Sequence, residues 1–254
     1  MSQLTNLLRA ATGRLWPRSR PTISRPIFAK WDWQAGKPAR SVHPPFPRTV
    51  DKLTIEDFRQ APVYSDRVDQ LFHALKNAPS VGHVLEFGVH KGATLNWLTE
   101  WCRPRAESRV FGFDSFEGLP HEWVRTKAGP KYPAGHFALE GLPCVQDNAC
   151  LIPGFFDASL EPWLAEHSGP IAFLHNDSDL YSSTLLTLRL LNQRIVPGTV
   201  IVFDELCEWS QSGVYENWEQ GEWKALREWM AEFDREISII SRDQGFAAAI
   251  AVTR

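Results

Sequence analysis

Apolar residues recur along this chain in two rhythms. Tyr64, Val68, Leu71, Phe72 and Leu75 fall at i, i+4, i+7, i+8 and i+11, one face of a helix, and Pro79 stops that helix after Asn77. Short apolar runs follow at 84–87, 110–113, 150–152, 171–174 and 200–203, separated by helical patterns that begin near Ala93 and Ser182. These runs do not alternate with polar residues. Strands of that kind are buried on both faces, as in a parallel sheet covered by helices. Trp223, Leu226, Met230 and Phe233 mark one more helix; the runs 237–240 and 246–252, joined through Asp243-Gln244-Gly245, are close enough to pair as a hairpin. The pattern predicts an α/β, doubly wound, mostly parallel sheet of seven strands that ends in an antiparallel hairpin.

Composition then divides the chain. At 254 residues, 43% hydrophobic and 22% charged, it fits one large α/β domain of the globular class. Residues 1–50 hold seven prolines, which deny helices and central strands their N–H donors, and read as an arm or lid ahead of a domain at 51–254. Within the arm Leu4, Leu7, Leu8, Ala11 and Leu15 repeat at helical spacing beside Arg9 and Arg14, a short basic amphipathic helix. The net charge of −3 conceals a split: nine Lys/Arg against one acid give the arm +8 and leave −11 for the rest. A basic arm suits an anionic partner, an organellar leader or docking on its own acidic domain. No apolar run reaches the ~18 residues of a membrane span, and no secretory signal is read at the start. Four cysteines without a C-x-x-C pair or zinc spacing predict reduced thiols and a cytoplasmic location.

The first apolar run leads into Glu86-Phe87-Gly88-Val89-His90-Lys91-Gly92, a strand-to-helix turn at the carboxyl end of the sheet, where doubly wound folds bind ligands. Its E-x-G-x-x-x-G spacing lacks a glycine of the G-x-G-x-x-G fingerprint, which disfavours nicotinamide cofactors. Asp114 ends the second run, where an acid accepts ribose hydroxyls, and Glu86 is placed to meet the amino end of an amino acid. Together they describe a pocket for a nucleoside joined to an amino acid; the plainer alternative is a helix cap and a tight turn. Asp177 and Asp179 follow the fourth run, Asp204 and Glu205 the fifth. Adjacent strands would gather these carboxylates at one rim with no basic residue nearby in sequence, which suits Mg²⁺ or a similar hard cation. Asp179 reads rather as the cap of the helix near Ser182.

Phe113-Asp114-Ser115-Phe116-Glu117-Gly118-Leu119-Pro120 resembles the D-S-F-x-G-L-P signature of the macrocin O-methyltransferase family, S-adenosylmethionine-dependent enzymes that methylate sugar hydroxyls of macrolides. Residues 86–92 resemble its E-F-G-V-x-x-G loop, 154–160 its G-x-F-x-x-T-L segment, and His175-Asn176-Asp177-Ser178-Asp179-Leu180-Tyr181 its H-x-D-x-D-L-Y. The resemblance spans about 80–210. It implies a Rossmann-like class I methyltransferase fold with S-adenosyl-L-methionine bound by Glu86, Gly88, Val89, Lys91, Gly92, Asp114, Ser115, Phe116, Phe155, Phe156 and Asp177. It further implies a divalent cation, Mg²⁺ first, on Asp177, Asp204 and Glu205, although Glu205 and Leu206 replace the usual D-Y of its D-D-Y. Asp177, with His175 as the second candidate, is the expected catalytic base that takes the proton of an acceptor hydroxyl.

Aromatic faces suit sugar rings and flat phenols, so of the eleven tryptophans Trp209 and Trp218, in the loop after the fifth run, are acceptor candidates together with Tyr181. The insert 121–148 is long enough to be a lid. The leading expectation is a Mg-assisted O-methyltransferase of natural-product or glycan biosynthesis acting on a sugar or glycosylated small molecule. A catechol-type phenolic O-methyltransferase and a degenerate methyltransferase-fold binding protein are the alternatives. No nucleic-acid partner is expected, because basic and aromatic residues do not interleave as in an RNA module. The arm then reads as an intramolecular lid or a subunit contact, which leaves a homo-oligomer open.

Overall fold

The computed structural model describes residues 47–103, 109–126 and 131–254; the amphipathic helix expected in the arm lies outside them. Among the described residues the α-helices are α1 (Ile55–Arg59), α2 (Arg67–Asn77), α3 (Ala93–Cys102), α4 (Phe156–Glu166), α5 (Tyr181–Leu191) and α6 (Glu222–Glu232). The strands are β1 (Val63–Tyr64), β2 (His83–Phe87), β3 (Val110–Asp114), β4 (Trp123–Val124), β5 (Lys131–Tyr132), β6 (Ala149–Pro153), β7 (Ile171–Asn176), β8 (Val200–Phe203), β9 (Ile237–Asp243) and β10 (Ala248–Val252).

One sheet carries eight strands in the order β1-β9-β10-β8-β7-β2-β3-β6. From β8 to β6 every neighbour is parallel, and β10 runs antiparallel to both β8 and β9. This is the doubly wound sheet with a C-terminal hairpin that the apolar pattern predicts, enlarged by one strand. Tyr64, assigned by its spacing to the helix, belongs instead to β1, which pairs with β9. The helix starts later because the Asp66 carboxylate caps it, accepting hydrogen bonds from the Val68 and Asp69 amides at 2.7 and 3.3 Å. Tyr64 keeps an apolar rhythm because it too is buried, against the His73 ring of α2.

Successive residues of the central strands enter two separate cores. Leu85, Phe87, Phe111, Phe113, Ile201 and Phe203 pack on one face of the sheet; Val84, Val110, Val200 and Val202 pack on the other. Both sets are apolar, and that is why the runs show no alternation. The insert 121–148 is not a bare loop: β4 and β5 pair antiparallel, with Trp123 opposite Tyr132. Chain order reverses between β2 and β7, so the loops leaving β3, β2, β7 and β8 stand side by side at the carboxyl rim, the place where such sheets form a crevice.

Candidate active site

The loop after β2 is tied down on both sides. The Gly88 amide donates to the Phe113 carbonyl at 2.9 Å, and the Asp177 amide donates to the Phe87 carbonyl at 2.8 Å. Gly88 has φ +90°, and a Cβ there would run into the Asp177 carbonyl, so this position requires glycine. Asp114 knots the two neighbouring loops together. Its Oδ2 accepts from the Val89 and His90 amides at 2.8 and 2.7 Å, and its Oδ1 accepts from the Phe116 amide at 2.7 Å. A carboxylate offers about four acceptor positions, so three backbone donors leave one open.

Beside this knot lies the acidic cluster. Asp177 and Asp204 are joined by a residue the sequence did not point to: the Arg67 guanidinium, at the first turn of α2, stands 2.9 Å from Asp177 Oδ2 and 2.6 Å from Asp204 Oδ1. The carboxylates therefore do have a basic neighbour, brought from 110 positions away in sequence. Under Asp204 sits His175, 1% exposed, with Nδ1 3.0 Å from Glu86 Oε1 and Nε2 3.6 Å from Asp204 Oδ1. Burial favours the neutral ring, but the flanking Asp204 and Glu86 carboxylates outweigh it and raise its pKa to about 10. For Asp204 burial acts to raise the pKa; Arg67 and then His175 overcome it and hold the group below the usual carboxylate value.

The remaining acids are not balanced in this way. Burial, and next the Asp204 charge, push Asp177 up to about 7. Asp179 and Glu205 are raised well above their ordinary values by burial and by the charges of neighbouring carboxylates. Oxygens of Asp177, Asp179 and Glu205 lie within 4.8 Å of one another, and so do ligand atoms of His175, Asp177 and Asp204. Glu205 Oε2 is buried without a hydrogen-bond partner. Glu222, fully buried at the start of α6, braces the cluster from behind: it accepts from the Glu205 amide at 2.9 Å and from Asn176 Nδ2 at 2.5 Å. Asp179 does not cap α5. It sits in the left-handed region at φ +62°, and the cap position, Leu180, has no side-chain cap, because the turn faces Asp179 toward the other acids.

A cleft of about 670 Å³ opens over this rim, within the size range of small-molecule sites. Of the expected cofactor residues, Gly88, Asp114, Ser115, Phe155, Phe156 and Asp177 line it, as do Asp204 and Glu205. Val89 and Phe116 turn their side chains into the core and contribute amides. Gly92, at φ +79°, starts α3 and Lys91 is exposed, so neither forms the cleft wall. Glu86 also lies off the wall, because it is buried against His175, with Oε2 unpartnered.

The acceptor candidates are corrected more strongly. Trp209 is 9% exposed, stacked on Phe58 and bonded through Nε1 to the Ala247 carbonyl at 3.1 Å. Trp218 packs edge-on against Trp223, and Tyr181 donates to Glu228 Oε2 at 2.6 Å on the α6 side. None of the three lines the cleft; the loop after β8 turns Leu206, Cys207 and Trp209 back onto the core instead. The aromatic wall comes from the insert, through Trp123, Tyr132 and Phe137, with Arg125 beside them. In the sequence these residues were marked only by lying in a long insert after Asp114.

Residues 85–206 match the family described as a methyltransferase domain. A curated relative, the 8-demethyl-8-(2,3-dimethoxy-alpha-L-rhamnosyl)-tetracenomycin-C 4'-O-methyltransferase of Streptomyces olivaceus, is 28% identical over 142 residues, 49% of this chain and 52% of its own. The chain thus spans about half the length of that relative. Two solved structures share the fold: CalS11, a calicheamicin methyltransferase, at TM-score 0.56 and 22% identity over 74% of this chain and 80% of its own, and the O-methyltransferase NovP, at 0.50 and 21% over 79% of each. Residues 85–206 thus match a methyltransferase-domain family, and the Rossmann-like sheet that carries them is the fold of these two methyltransferases.

Proposed function

We propose that this protein transfers a methyl group from S-adenosylmethionine to a hydroxyl of a sugar or glycosylated small molecule. The observation that carries the reading is the continuity of one cleft from the Gly88–Asp114 knot to the Asp177–Asp179–Glu205 cluster. The first end suits a nucleoside and the second an acceptor hydroxyl. The relative that methylates a rhamnosyl group supports the acceptor class.

Asp114 has one open acceptor position, so it would take one ribose hydroxyl rather than both, while its other bonds hold the loop in shape. Phe155 and Phe156 supply apolar wall beside it. Transfer breaks the S–CH₃ bond as the O–CH₃ bond forms, leaving S-adenosylhomocysteine and a methyl ether. The hydroxyl proton goes to a carboxylate, and Asp177, half-open to the cleft, is the base we assign. His175 is charged and enclosed between Glu86 and Asp204, which makes it a positioning residue for Asp204 rather than a base.

The cluster fits a divalent cation. Four carboxylates against Arg67 and His175 leave an excess of negative charge, and Glu205 Oε2 is a buried oxygen with no donor. Asp177, Asp179 and Glu205 would hold the ion, with Asp204 kept in place by Arg67 and His175. When bound, it would lower the pKa of an acceptor hydroxyl and orient it. Calorimetry with S-adenosylhomocysteine tests the donor site: Asp114→Ala should weaken binding by at least about 1–2 kcal/mol, and an unchanged affinity would refute the ribose assignment. Mn²⁺ titration tests the ion: Asp179→Ala should lose most of the binding, and an Asp179→Ala protein that binds Mn²⁺ as the parent does would remove Asp179 from the ligand set.

A further inference from the structure

We propose that Arg125 is a recognition point for an anionic group on the acceptor, so that the sugar methylated here carries a phosphate or a carboxylate. This rests on the methyltransferase reading above and narrows its substrate.

The guanidinium of Arg125 is held in a cage of three rings, with its carbon 5.0 Å from the Trp123 centroid, 5.1 Å from Tyr215 and 4.8 Å from Phe246. The rings come from three separate segments, the β4–β5 hairpin, the loop after β8 and the β9–β10 turn, so the cage is a tertiary structure that fixes where this cation stands. Cation–π attraction offsets part of the cost of enclosing the charge. It does not satisfy the donors. Nε and Nη2 are buried with no hydrogen-bond acceptor, and no carboxylate among the described residues forms an ion pair with Arg125.

That omission is informative because acids are close by. Arg125 and Asp179 line the same cleft, and the Arg125 charge acts on the Asp179 carboxyl. Yet Asp177 and Asp204 take their cation from Arg67. The cleft is therefore polarised, with an excess of acid at the reacting end and an unneutralised guanidinium set in an aromatic wall. A neutral sugar would leave that charge without a partner. A phosphate or carboxylate presents the paired oxygens that a guanidinium fork binds best, while the half-buried Tyr132 ring, packed on Trp123, lines the same cleft and offers an apolar face to the sugar itself.

The test uses the full chain saturated with S-adenosylhomocysteine and three probes: a nucleoside diphosphate hexose, a methyl hexuronoside and the neutral methyl hexoside. Calorimetry on the parent should show at least one charged probe bound about tenfold or more tighter than the neutral one, and which of the two it is separates phosphate from carboxylate. Arg125→Met should abolish that preference, so that charged and neutral probes bind within about twofold of each other; Arg125→Lys, which keeps the charge and is the safer variant for folding, should retain part of it. Equal binding of all three probes by the parent, no binding of any, or an equal loss for all three in Arg125→Met would overturn the proposal and leave Arg125 as a packing cation. Failure to bind S-adenosylhomocysteine at all would sink the underlying methyltransferase reading, a separate result from failure of the charge preference.

Discussion

At the scale of single residues, the site depends on groups that serve two loops at once. Gly88 is the clearest case: its φ of +90° and the Asp177 carbonyl behind it leave no room for a side chain. Gly88→Ala should cost about 1–3 kcal/mol of stability, read as a lowered denaturant midpoint, and a parental midpoint would show that the loop relaxes freely. Asp177→Asn keeps the shape but removes the base; kcat should fall by about 10²–10⁴ with S-adenosylhomocysteine affinity retained, whereas a kcat near the parental value would move the base elsewhere. Asp114, Asp177, Asp204 and Glu205 were legible in the sequence because each stands at the end of a strand or within two residues after it. Arg67, Arg125 and Glu222 were not, since their roles arise from tertiary contacts, such as the 110-residue separation between Arg67 and Asp177. Trp209 misled for the complementary reason: an aromatic residue in a loop looks available until the fold places Phe58 and the Ala247 carbonyl against it.

At the scale of elements, the apolar runs read well because strands buried on both faces carry few polar positions to imitate a half-exposed alternation. The five parallel strands and the hairpin follow from that signal. Tyr64 shows its limit: a buried strand residue three positions before α2 imitates the helix's stripe, and the Asp66 cap sets the true start. The insert shows another, since strands of two residues each are too short to register as alternation. That hairpin carries Trp123 and Tyr132 over the cleft, so its cleavage by protease should slow when S-adenosylhomocysteine and an acceptor sugar are both bound. Identical cleavage rates with and without them would argue against closure of this element.

At the scale of the whole molecule, the charge asymmetry acquires a place. The excess acidity of residues 51–254 includes the rim cluster, which Arg67 and His175 offset in part. No helix among the described residues is long and apolar enough to cross a membrane. The basic arm keeps its expected role as a lid or subunit contact only as a proposal; where the described chain begins, Arg48 exchanges backbone bonds with Ile237 at the sheet edge and pairs with Asp57. The central claim is that the cofactor knot and the acid cluster act as one methyl-transfer site. Its most direct test incubates the protein with S-adenosylmethionine carrying a labelled methyl group, Mg²⁺ and a panel of charged and neutral sugars, and follows the label by mass spectrometry. The account predicts a sugar product heavier by one labelled methyl in place of hydrogen, formed by the parent and lost in Asp177→Asn. Label appearing only on phenols, or on no acceptor while S-adenosylmethionine is bound, would contradict it.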